Sequence, residues 1–102
     1  MKLLTEKIKN ELPKLYSTES VPMDEKIVHV KFFNPCGEGS WYVLEYDKKN
    51  DVAFGYVDVL EGEFGYFSIK ELESIKLPFG LTIERDLNFK PTLLKDIVGN
   101  IL

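Results

Sequence analysis

The sequence predicts an α+β domain, a mainly antiparallel sheet of about five strands flanked by short helices. Three observations carry that expectation. Between Ile27 and Phe89, the runs IVHVKFF, SWYVLEY, VAFGYVDVL, EFGYFSI and LTIERDLNF alternate aromatic or β-branched residues with polar ones, the period of half-buried strands. Short connections, DKKND and EG, separate neighbouring runs, so consecutive strands pair as hairpins. Helical spacing is confined to the N-terminus, the stretch before the last run, and the C-terminus.

Each element has a local cause. Leu4, Ile8, Leu12 and Leu15 recur at helical spacing, Thr5 supplies an N-cap, and Pro13 ends the turn near Leu12. STESVPMDEK, residues 17–26, has no periodicity and reads as a connector. The first strand, Ile27 to Phe33, places Val28, Val30 and Phe32 on one face and His29 and Lys31 on the other. After the loop NPCGEGS, a second strand runs from Ser40 to Tyr46 and a third from Val52 to Leu60. A tight turn at Glu61-Gly62 would pair Leu60 with Glu63, and hence Tyr56 with Phe67 and Val57 with Tyr66. Both faces of that hairpin are then apolar, which demands cover on both sides or leaves one as a binding surface. Ser68 to Glu71 forms a capping box for a helix carrying Ile69, Leu72 and Ile75, stopped by Pro78-Phe79-Gly80. LTIERDLNF resumes as a strand, and Pro91-Thr92 opens a last helix with Leu93 or Leu94, Ile97, Val98 and Ile101.

Composition bounds the function. The chain has 102 residues, 44% of them hydrophobic, which fits one domain spanning residues 1–102. With 13 Lys and Arg against 17 Asp and Glu, the net charge of −4 does not support a general phosphate-backbone binder. The single cysteine, Cys36, excludes an internal disulfide and suits a reducing, cytoplasmic setting. The charged N-terminus is unlike a signal peptide, and no apolar stretch reaches the roughly 18 residues of a membrane span, so no membrane partner is expected.

LPKLYSTE, IVHVKFFNP, SWYVLEYD, FGYV, GYFSIKELESI and PFGLTIERDLNFKP resemble, in order and spacing, a bacterial family catalogued as domain of unknown function 2958. The resemblance extends from about Leu3 to Ile97 and is carried most specifically by HVKFF, WY, GYFS, ELES and IERDL. It implies a small protein of plasmids, phages and integrating elements. Automatic labels on some relatives imply single-stranded DNA endonuclease activity. Members commonly carry a large residue such as Trp after the first strand's Asn/Thr-Pro, where this chain has Cys36.

Arg85 is the leading candidate binding residue. A strand through Leu81, Ile83, Arg85 and Leu87 puts its guanidinium on an apolar face, where it must find a carboxylate such as Asp58, Glu45 or Glu71, or anchor an anion or a partner. Thr82, Glu84, Asp86 and Asn88 take the other face. His29 and Lys31 stand side by side on the first strand, and His29 with Cys36 would form a nucleophilic dyad only if the fold brings them together. Glu45, Asp47, Asp58, Glu61, Glu63, Glu84 and Asp86 could supply the carboxylates of a magnesium-dependent nuclease, but also read as solvated turn and edge charges. Trp41, Phe64 and Tyr66 sharing a face with Gly55 would make a stacking platform or, more simply, core beneath a helix. Gly37-Glu38-Gly39-Ser40 matches neither a phosphate loop nor a dinucleotide fingerprint, and no cofactor or metal site is expected. These features favour a non-enzymatic module that binds a protein partner through an exposed sheet face or its acidic turns. The alternative is a metal-dependent endonuclease or other nucleic-acid-processing protein.

Overall fold

The computed structural model describes residues 2–99. Its order is α1 (Glu6–Glu11), a 3-10 turn (Met23–Glu25), β1 (Ile27–Val28), β2 (Val30–Phe33), β3 (Ser40–Asp47), β4 (Val52–Asp58), β5 (Gly62–Ser68), α2 (Ile69–Ser74), a second 3-10 turn (Pro78–Gly80), β6 (Glu84–Arg85), β7 (Thr92–Leu93) and α3 (Leu94–Val98). Strands β5-β4-β3-β2-β6 form a five-stranded antiparallel sheet, and β1 pairs with β7 in a small second one. This is the α+β class that the run pattern predicts. Among the described residues no helix is long and apolar enough to cross a membrane.

Helix α1 starts where Thr5 accepts the N–H of Ile8, and α2 where Ser68 accepts the N–H of Glu71. The first face of the sheet is closed by aliphatic side chains: Leu3, Leu4 and Leu12 from the N-terminal segment, with Ile69, Leu72 and Ile83, pack on Val30, Phe32, Val43, Tyr46 and Ala53. Leu3 is wholly buried although the helical stripe begins at Leu4. The second face is aromatic. Val28, Leu44 and Tyr56 meet Leu94 and Val98 of α3, with Tyr42, Phe54, Phe64, Phe89 and Ile97 around them. Ile101, expected in the last helix, lies outside the described residues.

Three expectations change. The first strand breaks at His29, so Val28 joins the second-face cluster while Val30 and Phe32 join the first. The cause is β7, which draws Ile27 and Val28 into its own ladder opposite Leu93 and Thr92. The β4–β5 hairpin pairs Asp58 with Gly62, Tyr56 with Phe64 and Gly55 with Gly65, three residues out of the expected register, around a loop of Val59, Leu60 and Glu61. In this register the Tyr56 ring meets Phe64 edge-on at 5.2 Å, and its hydroxyl occupies the space a side chain at Gly62 would need, 1.6 Å from an ideal Cβ. Gly55 is equally constrained, since a Cβ there would stand 1.7 Å from the Tyr42 carbonyl oxygen. Finally, the last strand shrinks from Leu81–Phe89 to Glu84–Arg85, because Asp86 turns the chain by accepting the N–H of Asn88 at 2.9 Å. Of the expected apolar row only Ile83 is buried, and Leu81 and Leu87 are exposed.

The connector is anchored rather than loose. Glu45, 5% exposed, follows a bulge in β3 and accepts the N–H of Tyr16 at 2.7 Å and of Thr18 at 3.1 Å, together with the Thr18 hydroxyl. Lys26 donates to the Thr18 carbonyl at 2.6 Å, tying the far end of the connector to the same point. A buried carboxylate with several N–H and O–H donors has the compensation that burial requires.

Candidate functional site

The short strand β6 lies along β2 with Arg85 opposite Phe32, so its side chain emerges on the first face at the sheet edge. There Nη1 donates to the carbonyl of Leu3 at 2.6 Å, while the N–H of Leu3 donates to Glu73 Oε2 at 2.8 Å. Arg85 and Glu73 therefore clasp one residue of the N-terminal segment by its N–H and its C=O, and charge-assisted bonds of this kind are about twice as strong as neutral ones. Glu45, named above as a partner for Arg85, is instead committed to Tyr16 and Thr18.

Beside this clasp opens a cleft of 390 Å³ between α1 and the chain after β6, with Ile8, Leu12, Val30, Leu87, Phe89 and Pro91 as its apolar walls. Its polar groups are Arg85, Asp86, His29 and Glu11, so the sequence candidates Arg85, His29 and Asp86 meet here. His29 occupies the joint between β1 and β2, its N–H donating to the Val43 carbonyl at 3.1 Å. Burial lowers the imidazole pKa below its ordinary 6.5, which keeps His29 neutral at pH 7.

The candidates Lys31, Glu84 and Trp41 go elsewhere. Lys31 sits on the second face with its Nζ 5.6 Å from the centroid of Tyr42, a cation–π contact. Glu84 pairs with Phe33 on β2. Trp41 packs against the first-face core and over Gly39, where a Cβ would come 3.3 Å from the ring. Trp41 faces Val57, in the row of Gly55, whereas Phe64 and Tyr66 project from the opposite face beside Phe54. The expected Trp41-Phe64-Tyr66 platform is therefore split across the sheet. Cys36 and His29 lie beyond opposite ends of β2, whose four extended residues span roughly 13 Å at ~3.3 Å each, so they form no dyad. Among the described residues, no three His, Cys, Asp or Glu side chains are grouped so as to hold a metal ion.

One end of the sheet carries a second surface. The β2–β3 loop lies beside the β4–β5 turn, bounding with Lys31 and Asp86 a shallow depression lined by Asn34, Asp58 and Leu60. On its other side Cys36 reaches the Pro78 carbonyl, with Sγ at 3.7 Å. Leu60 is 94% exposed at the apex of its turn and Phe79 is 96% exposed in the second 3-10 turn. Phe79 holds a left-handed backbone, φ 62° and ψ 23°, a conformation that bulky side chains rarely adopt. Glu38, Asp58, Glu61 and Glu63 are exposed around this end, and β4 and β5 carry no Lys or Arg. The sequence alone does not reveal either apolar tip: alternation carries Leu60 into a strand, and Pro78-Phe79-Gly80 reads only as a helix stop. The available signal was a large apolar residue enclosed by turn formers, as in Pro78-Phe79-Gly80 and Asp58-Val59-Leu60-Glu61-Gly62.

No significant match was found among curated proteins or among solved structures. The model of one family, Protein of unknown function (DUF2958), matches residues 3–95. That match covers all seven described strands and the Arg85 clasp, and the chain belongs to this family.

Proposed function

We propose that the protein is a non-enzymatic interaction module, a cytoplasmic accessory factor of a mobile element, which grips a protein partner with the loop end of its sheet. The observation that carries this reading is Leu60, a large apolar side chain 94% exposed between Asp58 and Glu61. A single exposed leucine is ordinary, but here a second near-fully exposed apolar tip, Phe79, follows Pro78, whose carbonyl the β2–β3 loop reaches through Cys36, and exposed Glu38, Asp58, Glu61 and Glu63 stand on the loops around Leu60. The partner that fits is a protein with an apolar pocket rimmed by Lys and Arg, since complementary charge steers association and apolar anchors hold it. The acidic surround gives no support to a nucleic-acid backbone as partner.

The experiment is affinity capture with the intact chain against Leu60→Asp, Phe79→Asp and the double variant. Both side chains are outside the core, so Leu60→Asp should shift stability by no more than about 0.5 kcal/mol, and Phe79→Asp should not lower it, because aspartate tolerates the left-handed backbone at position 79 better than phenylalanine. A specific partner lost in the double variant, and weakened by salt in the wild type, is the expected result. A partner retained undiminished by the double variant overturns the reading. The endonuclease alternative predicts cleavage of single-stranded DNA with Mn²⁺ that Glu84→Ala and Asp86→Ala abolish.

A further inference from the structure

The two edges of the five-stranded sheet are finished differently. Strand β6 is two residues long and ends in the Asp86 turn, so it offers almost no ladder to a newcomer. Strand β5 runs for seven residues, Gly62–Ser68, and among the described residues no strand lies on its outer side. Native edges are commonly blunted by lysine, proline or a bulge, and β5 has none of these. Its one charge is Glu63, and its other large residues are Phe64, Tyr66 and Phe67.

We infer that β5 pairs with β5 of a second copy of this chain, antiparallel about a two-fold axis at Gly65, to join two five-stranded sheets into one. The strand is self-complementary about that residue. With Gly65 opposite itself, all seven residues of each strand overlap, Phe64 falls opposite Tyr66 of the second copy, and Glu63 falls opposite Phe67. No like charges meet, whereas centring the axis at Glu63 would oppose two carboxylates. On the second face, Phe54 already lies 5.0 Å from Tyr66 and 6.5 Å from Phe64, so the pairing extends an existing aromatic row across the axis. Tyr66, 55% exposed, is the residue this contact would cover.

Sedimentation of the full chain across a concentration series tests the inference. The wild type should reach twice 11.8 kDa, and Tyr66→Lys, which places a gatekeeping charge on the edge, should remain at 11.8 kDa with an unchanged circular dichroism spectrum. A second variant does not depend on affinity. A Cβ at Gly65 meets nothing within 4 Å, so Gly65→Cys in a Cys36→Ser background is sterically free. Directly opposed residues have Cα atoms about 4.5–5.5 Å apart, within disulfide reach, so oxidised glutathione should link two copies through position 65. Lys70→Cys in the same background should not cross-link. Leu60→Asp should leave the dimer intact, which separates this edge from the loop-end surface. A wild type that stays monomeric at every concentration overturns the inference, as does a dimer that survives Tyr66→Lys and gives no cross-link at position 65.

Discussion

The two faces of the sheet are closed by different chemistry. On the first, aliphatic side chains of the N-terminal segment and α2 fill the space over Phe32 and Val43, and Arg85 and Glu73 fix the covering segment by its backbone. On the second, a short α3 covers the region around Leu44 and Tyr56, while the aromatic row runs outward to the half-open Tyr66. Aliphatic packing excludes water completely and tolerates no vacancy. Aromatic packing can end in the open, because a ring with a polar tip tolerates water at one side.

The largest break in this comparison should come from Phe32→Ala on the first face. Phe32 is wholly buried, and truncation should cost about 3–5 kcal/mol in denaturant unfolding. Leu94→Ala tests the second face. Leu94 is also wholly buried but is held by a helix of five residues, and a loss of about 2–3 kcal/mol, with fluorescence changes among the tyrosines, is expected. A cost equal to that of Phe32→Ala would show that the two faces are closed equally well.

The covering helices differ in the same sense. Helix α2 has the Ser68 hydroxyl as its cap, whereas α3 begins at Leu93 without a side-chain cap. Ser68→Ala should therefore lower stability by about 1 kcal/mol, with the loss felt at the first face. The smallest effect sharpens the joint between the faces. Burial depresses the pKa of His29, so its contribution is complete above the unfolded value of 6.5 and is lost as pH falls through the lower folded value. Wild-type stability should fall between pH 7.5 and pH 5.5 more steeply than that of His29→Gln, and parallel profiles would remove His29 from this role.

Strands β3, β4 and β5, the two capped helices and the apolar character of both faces were legible because each follows from a local pattern. The Thr5 and Ser68 caps needed no more than spacing. Register was not legible, since it depends on Gly62 making room for the Tyr56 hydroxyl and on Gly55 lying against the Tyr42 carbonyl, contacts between strands. The long last strand failed for a related reason: the Asp86 side chain competes with the ladder for the backbone, and alternation does not register that competition. Of the candidate site, Arg85, His29 and Asp86 converge on one cleft. Lys31 is separated from it by strand alternation, Trp41 by the intervening Phe32, which lies between it and Arg85 on the same face, and Trp41 is separated from Phe64 and Tyr66 by the register shift. The peptide of Leu3 that Arg85 holds could not have been read from Arg85 itself, because the partner is a backbone carbonyl 82 residues away.

The backbone of Phe79 has a consequence for the balance between stability and activity. A left-handed conformation costs a residue other than glycine roughly 1–2 kcal/mol, and Phe79 recovers none of it by burial, being 96% exposed. Phe79→Gly should thus raise the unfolding midpoint by relieving that conformation, although glycine also gains freedom in the unfolded chain. If the same change weakens partner capture, the position is a trade-off in which the native side chain sacrifices fold stability for recognition.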